Sequence, residues 1–504
     1  MNNLRRVGIN MISGGAGYIL PMAINVLAAP YVLRQLGKEA YGLQVLANVI
    51  IGYLIVADMG LDIPVTQRIA EYHAKQYPEQ QSKFLIATIK IYFLIGLAGG
   101  IVLILFTDKL ITLLAIPVSI KGDAHMVFYL SAFGFLGSII SMWGKAVFNG
   151  FHRYDISNGV NIANNLFSIL LGIFLIMKGY GIIGFFSARV GGFLIASMVY
   201  IILASKNIIQ FTLRPLIDRE IWAILKKQVG YGLTLRLSGM IFARTDQTFI
   251  SVWVGISAVT AYSFPILIAT AISGLIASLT HFSFPLVTAM SVTHSKEEIQ
   301  SFFFKITKFI VSISTLTFFP FIIYGDIFLS LWINPEIAAQ NQEVLIFLTI
   351  AFYVNSCLTI GLNAFVVGIG ELKYFTYYSI SRGICLFVGF LCLIKPYGIN
   401  GAGYSYIIAL LVDAIFVLYS LRTKFHFNIA QVFLRGYLKP VLLGIVLSVA
   451  MILAKRWVTT WIELIAAIGI YGVLYIVFGY WMGILNESEK NVIKSFLKKF
   501  GSSI

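Results

Sequence analysis

The chain has 504 residues, of which 59% are hydrophobic and only 12% charged, with a mean hydropathy of +0.88. Apolar runs long enough to cross a bilayer recur from end to end, and no soluble domain of about 100 residues fits between them. The formal charge of +16 would point to a polyanion in a soluble protein. Here Lys and Arg gather in alternate connecting segments, so the excess is topological and excludes a nucleic-acid partner.

In chain order the runs predict about fourteen spans. Residues 8–33, 41–66, 84–106, 125–148, 156–177 and 181–204 supply six, forming an N-terminal lobe at 1–204. A basic linker follows at 205–228, with Lys206, Arg214, Arg219, Lys226 and Lys227. A second lobe at 229–422 holds the next six, at 229–253, 258–284, 302–324, 343–368, 374–394 and 400–421. Two further spans, 437–454 and 461–484, lie in a segment at 437–484. The tail at 485–504 sets Val492, Ile493, Phe496, Leu497 and Phe500 on one helical face with lysines beside it, as in a helix lying on an anionic leaflet. Basic residues place both termini in the cytoplasm, with Lys145, Lys305, Lys308 and Lys439 at span ends on that side. The fold class expected is an all-α polytopic membrane protein.

The two lobes repeat one another at a spacing of roughly 220 residues. Lys178, Tyr180, Gly181, Ile182 and Gly184 recur as Lys395, Tyr397, Gly398, Ile399 and Gly401. Pro64, His73 and Lys75 recur as Pro285, His294 and Lys296; Gly150, Arg153 and Tyr154 as Gly370, Lys373 and Tyr374; Asp108 and Pro117 as Asp326 and Pro335. An even number of spans per copy makes the repeats parallel, which in membrane proteins implies a substrate site between copies and motion of one against the other.

Charges inside the spans cost a few kcal/mol on insertion scales and so tend to face a cavity or a partner. Arg236 and Arg244 sit about 80° apart around one helix, and with Arg189 and Arg382 they are candidates for a cationic lumen that binds an anionic headgroup. Asp58 and Asp62, spaced i, i+4, would stack on one face of the second span and suit proton or sodium coupling; a cap or hinge next to Pro64 is the alternative. Asp246 and Asp413 suit the same coupling or charge pairing with an Arg across the lumen. Asn161, Asn164 and Asn165 give the fifth span a polar stripe that either lines the lumen or bonds a neighbouring helix. Lys90 reaches the headgroups by snorkelling. Pro21, Pro64 and Pro265 are expected to kink their spans, and Pro285 to end one.

No phosphate loop, metal cluster or catalytic carboxylate set occurs, so no enzyme, cofactor or metal is expected. Cys357, Cys385 and Cys392 all fall in apolar segments and read as small core residues.

Arg34-Gln35-Leu36-Gly37 with Tyr41-Gly42, Ala57-Asp58-Met59-Gly60-Leu61 and Arg68-Ile69-Ala70-Glu71-Tyr72 resemble the N-terminal signature of the polysaccharide biosynthesis transporter family, the Wzx-type flippases of the MOP superfamily. Gln67-Arg68-Ile69 stands where that family often carries an Arg-Tyr pair. The resemblance implies two six-helix bundles opening alternately to either side, with two extra helices as in lipid II flippases. It implies a substrate of undecaprenyl-pyrophosphate-linked oligosaccharide, turned across the bacterial inner membrane for O-antigen, capsule or exopolysaccharide assembly. The implied partners are that lipid-linked oligosaccharide, membrane lipids and the polysaccharide polymerase machinery. A cation-coupled multidrug antiporter of the same superfamily is the alternative, and a membrane polysaccharide polymerase or ligase a third reading.

Overall fold

Gly37 takes φ 80° and ψ 170° within an otherwise unbroken helical stretch, α1, Asn2–Leu54. A side chain there would be strained, so glycine is what lets the first two expected spans meet at a sharp bend. The computed structural model describes residues 2–208, 245–280, 287–288, 290, 294–360, 362, 365–366, 372–423 and 427–484. Their regular secondary structure is all helical, with no strand among the described residues. After α1 come α2 (Asp62–Ala74), α3 (Pro78–Leu113), α4 (Lys121–Gly150), α5 (Tyr154–Met177) and α6 (Gly181–Ser205). Then follow α7 (Ile256–Thr280), α8 (Lys296–Trp332), α9 (Pro335–Asn355), α10 (Leu372–Tyr397) and α11 (Ile399–Thr423). The short α12 (Ile429–Val432), α13 (Lys439–Ala454) and α14 (Trp461–Trp481) are the last of the described helices.

Twelve described stretches are long and apolar enough to cross a membrane. One of them, Ile19–Asp58, is bent at Gly37 and covers the first two expected spans. The seventh expected span lies mostly outside the described residues, as do the tail at 485–504 and Pro285.

Contacts group the chain into two compact units, Met1–Ser263 with Arg382–Ala402, and Phe264–Ser381 with Gly403–Ile504. The expected first lobe, 1–204, falls wholly in the first unit, while 229–422 is shared between the two. In the first unit α4 is the central helix, packed against α1, α2, α3, α5 and α6. Its core is aromatic: Trp143, Tyr92, Phe84 and Phe135 have no exposed surface, and the Trp143 indole N–H donates to Thr88 Oγ1 at 3.0 Å. Gly144, beside that Trp, lets α6 come close. A Cβ there would stand 2.3 Å from the Cβ of Tyr200.

The second unit is organised around α8, against which α9, α13 and α14 pack. Two π-helical turns, Ser356–Ile360 and Phe433–Leu438, extend α9 and lead into α13. Ile462, Val473 and Trp481 of α14 remain exposed, the apolar outer surface expected of a helix in lipid.

The two aspartates expected to stack on a continuous helix do not do so. A 3-10 turn, Ile55–Asp58, ends the long helix, and Met59 (φ 52°) and Gly60 (φ 76°) then reverse the chain before α2 begins at Asp62. The i, i+4 rule holds only where helical φ and ψ persist. Pro64 correspondingly sits in the first turn of α2, where its missing N–H costs nothing, and does not kink a span. Pro21 and Pro265 do lie inside helices, α1 and α7.

Candidate functional site

Within the first unit, α1, α4, α5 and α6 enclose a cavity of about 290 Å³. Its polar lining comes from Asn48, Ser138, Ser141, Lys145, Asn161, Asn164 and Arg189. Among the described residues no Asp or Glu lines it. Two cations therefore share one space with amides and hydroxyls, an arrangement that selects for an anionic guest carrying hydrogen-bonding groups.

Local chemistry fixes each wall. Pro21 has no N–H, so the Gly17 carbonyl four residues earlier loses its helical donor. Asn161 Nδ2 on α5 donates to that carbonyl at 3.4 Å. One turn further on, Asn25 Nδ2 donates to the Pro21 carbonyl at 2.7 Å and to Asn165 Oδ1 at 3.2 Å. Asn164 Oδ1 accepts from Ser168 at 3.4 Å. The asparagine stripe thus holds α5 to α1, and Asn161 and Asn164 also face the cavity while Asn165 does not line it. On the opposite wall Ser141 Oγ donates to the Phe193 carbonyl at 3.3 Å, tying α4 to α6 beside Arg189. The Arg189 guanidinium lies 5.8 Å from the centre of the Phe193 ring, a cation–π distance that steadies a half-buried charge. Tyr200 closes the cavity and anchors its hydroxyl on the Ser157 carbonyl at 3.0 Å.

Of the charged residues singled out from the sequence, Arg189 is the one this cavity contains. Arg236 and Arg244 lie outside the described residues. Arg382, half-buried on α10, and Asp413, buried on α11, do not line it. Asp246 is buried and accepts the Tyr262 hydroxyl at 2.6 Å. Asp58 is fully buried and its Oδ1 accepts the Gly60 N–H at 3.0 Å, an Asx turn that stabilises the reversal after α1. Asp62 opens α2, where the helix dipole favours a carboxylate.

Lys145 was assigned to a span end, and Asn48 and the two serines were not singled out. A signal was present: Ser138, Ser141 and Lys145 are spaced i, i+3, i+7, a polar stripe on one face of an apolar helix.

The family described as polysaccharide biosynthesis protein matches residues 4–291, more than half of the chain. The chain belongs to this family. The resemblance read from the N-terminal motifs is therefore correct, and the protein is a transporter rather than an enzyme. A putative O-antigen transporter of Shigella flexneri is 22% identical over 407 residues, covering 79% of this chain and 94% of that protein. Among solved structures, the lipid II flippase MurJ in its inward closed conformation superposes with a TM-score of 0.75 at 15% identity, over 94% of this chain and 98% of MurJ. An inward-facing multidrug resistance MATE transporter of the MOP superfamily gives 0.67 at 17% identity, over 84% and 97%. The fold of this family member is accordingly MOP-like, and it is a multi-pass membrane protein of the all-α class expected.

Proposed function

We propose that the chain is a flippase that carries undecaprenyl-pyrophosphate-linked oligosaccharide units from the cytoplasmic to the outer leaflet of the bacterial inner membrane. One observation carries the reading: a cavity in the membrane-spanning part of the first unit that contains Arg189 and Lys145 and, among the described residues, no lining carboxylate. A pyrophosphate cannot cross hydrocarbon unaided, because its charge loses hydration that lipid does not replace. A cationic cleft lined with amides substitutes for that hydration: the Arg fork suits phosphate oxygens, and Asn and Ser suit sugar hydroxyls.

In this reading the duplicated lobes, 1–204 and 229–422, rock to open the cleft to either side in turn. Arg236, Arg244 and Arg382 are further candidates to meet the anionic headgroup during the cycle, and Asp246 or Asp413 couples it to protons or sodium. The concentration of Lys and Arg in alternate segments supports cytoplasmic termini. A drug antiporter of the same fold would bind organic cations, which a cavity holding Arg189 and Lys145 repels.

The test is the sidedness of lipid-linked oligosaccharide in cells that depend on this protein. Arg189→Ala and Lys145→Ala should each lower outer-leaflet appearance by about tenfold, the equivalent of losing one charge-assisted contact. Unchanged appearance in the double variant would overturn the assignment of this cavity. Export of a cationic dye with no lipid movement would instead establish the antiporter.

A further inference from the structure

The duplication sets an aspartate ahead of a proline in both lobes, Asp108 with Pro117 and Asp326 with Pro335. The two copies differ in what covers them. Asp108, on α3, has a side chain 83% exposed, and its Oδ1 lies 3.5 Å from His125 Nε2. The Asp326 side chain, on α8, is only 26% exposed, and its Oδ2 accepts from the Lys455 ammonium at 2.8 Å. Lys455 belongs to the 3-10 turn Lys455–Trp457 between α13 and α14, helices without a counterpart in the first lobe. Nearby, the Tyr324 hydroxyl donates to the Met451 carbonyl at 2.9 Å and pins the end of α13 to α8. The appended helices thus cover an aspartate whose first-lobe equivalent stands open.

Between these elements lies a cavity of about 330 Å³, within the size range of small-molecule sites. α8 contributes Asp326 and Ser330, α9 contributes Gln342, and the turn before α14 contributes Thr459. Ala339 and Val458 supply aliphatic surface among them. Capping bonds hold this lining in place. Asn334 Oδ1 accepts the Ile337 N–H at 2.7 Å at the start of α9, and the Thr459 N–H and hydroxyl both donate to Glu463 Oε2, at 2.7 and 3.0 Å. With α9 already capped, recognition here belongs to side chains. Asp326 Oδ1 is buried and has no hydrogen-bond partner among the described residues. A carboxylate offers about four lone-pair positions, so acceptor capacity remains beyond what Lys455 uses. The χ2 torsion of aspartate is soft, which lets either oxygen turn toward a guest.

We propose that this cavity binds a sugar ring, held by Asp326 and Gln342. The ion pair decides the class of guest. Lys455 already balances Asp326, and among the described residues no other charge lines the cavity, so neither a cation nor an anion finds an unmatched partner. A neutral guest with several hydroxyls does. Its hydroxyls donate to the Asp326 carboxylate and the Gln342 carbonyl and accept from the Gln342 amide, while its C–H face rests on Ala339 and Val458. The inference depends on neither Arg189 nor Lys145.

The experiment uses the full chain in phosphatidylcholine nanodiscs, free of glycosidic detergent, with the methyl glycosides of glucose, galactose and N-acetylglucosamine as probes. Saturation-transfer NMR should show contact with the ring protons of at least one glycoside. Asp326→Ala should weaken that binding by about tenfold and Gln342→Leu by about fivefold, the losses expected for a charged and a neutral hydrogen bond. Asp108→Ala, at the exposed equivalent in the first lobe, should leave it unchanged. Gln342 is exposed, so its variant carries the test even where Asp326→Ala fails to fold. Outer-leaflet appearance of lipid-linked oligosaccharide, measured on the same variants, identifies the source. A parallel fall assigns the site to the sugars of the transported molecule, and unchanged appearance assigns it to free saccharide. No contact with any glycoside, or contact that survives both Asp326→Ala and Gln342→Leu, overturns the proposal.

Discussion

The Tyr437 hydroxyl donates to the Cys357 carbonyl at 3.0 Å, and each residue lies in one of the two π-helical turns of the second unit. A π turn widens the helix and displaces a carbonyl from the regular ladder. Here the side chain of one turn is hydrogen-bonded to the backbone of the other, so the two irregularities support each other. Tyr437→Phe should remove this bond and lower stability by about 1 kcal/mol. Thermal unfolding of the purified protein checks this; an unchanged midpoint would mean that the π turns do not depend on one another.

Arg189 and Lys145 should respond differently to exchange of their cations. Arg189→Lys keeps the charge but loses the planar fork and the stacking on Phe193, so transport should fall several-fold, whereas Lys145→Arg should be tolerated. Initial rates of lipid-linked oligosaccharide appearance at the outer leaflet decide the point. Equal tolerance of both exchanges would reduce Arg189 to a point charge.

Asp58 offers a clean separation of two roles. In the Asx turn its Oδ1 accepts the Gly60 N–H, and an asparagine oxygen does the same. Asp58→Asn should therefore retain fold and transport, while Asp58→Ala should cost about 1–2 kcal/mol. Loss of transport in a well-folded Asp58→Asn protein would restore ion coupling to this residue.

Gly144 marks a close approach of α4 and α6. A side chain there meets Tyr200 at 2.3 Å, so Gly144→Leu should destabilise by about 1–3 kcal/mol through overpacking. Tyr200→Ala should partly relieve it, giving a double variant more stable than the two single effects combined. Midpoints for the four proteins of this cycle provide the measurement.

The spans and the family were legible because each is written locally, in apolar length and in contiguous motifs, whereas the bend at Gly37 depends on a positive φ that the hydropathy does not show. The polarity of Asn161 was legible too, but not its partner. That depends on Pro21 stripping a carbonyl of its donor and on α5 lying beside it, a fact of packing that no spacing reveals. The Asp58 and Asp62 stack failed for a related reason: helical geometry was extended across Met59 and Gly60, whose positive φ the hydropathy of the segment conceals. Lys145 was read from its distance to a span end, whereas which face it occupies, shared with Ser138 and Ser141, decides what it touches.

Any movement that draws α1 away from α5 must strip the Gly17 carbonyl of Asn161, the donor that stands in for the N–H that Pro21 lacks. Such a movement has a threshold rather than a gradient. Small excursions stretch the contact, and a larger one must release it together with the Asn25–Asn165 bond one turn further on. A helix that the proline leaves pliable is thus given a detent, and the cavity beside it is held in one setting until enough binding energy arrives to move it to another.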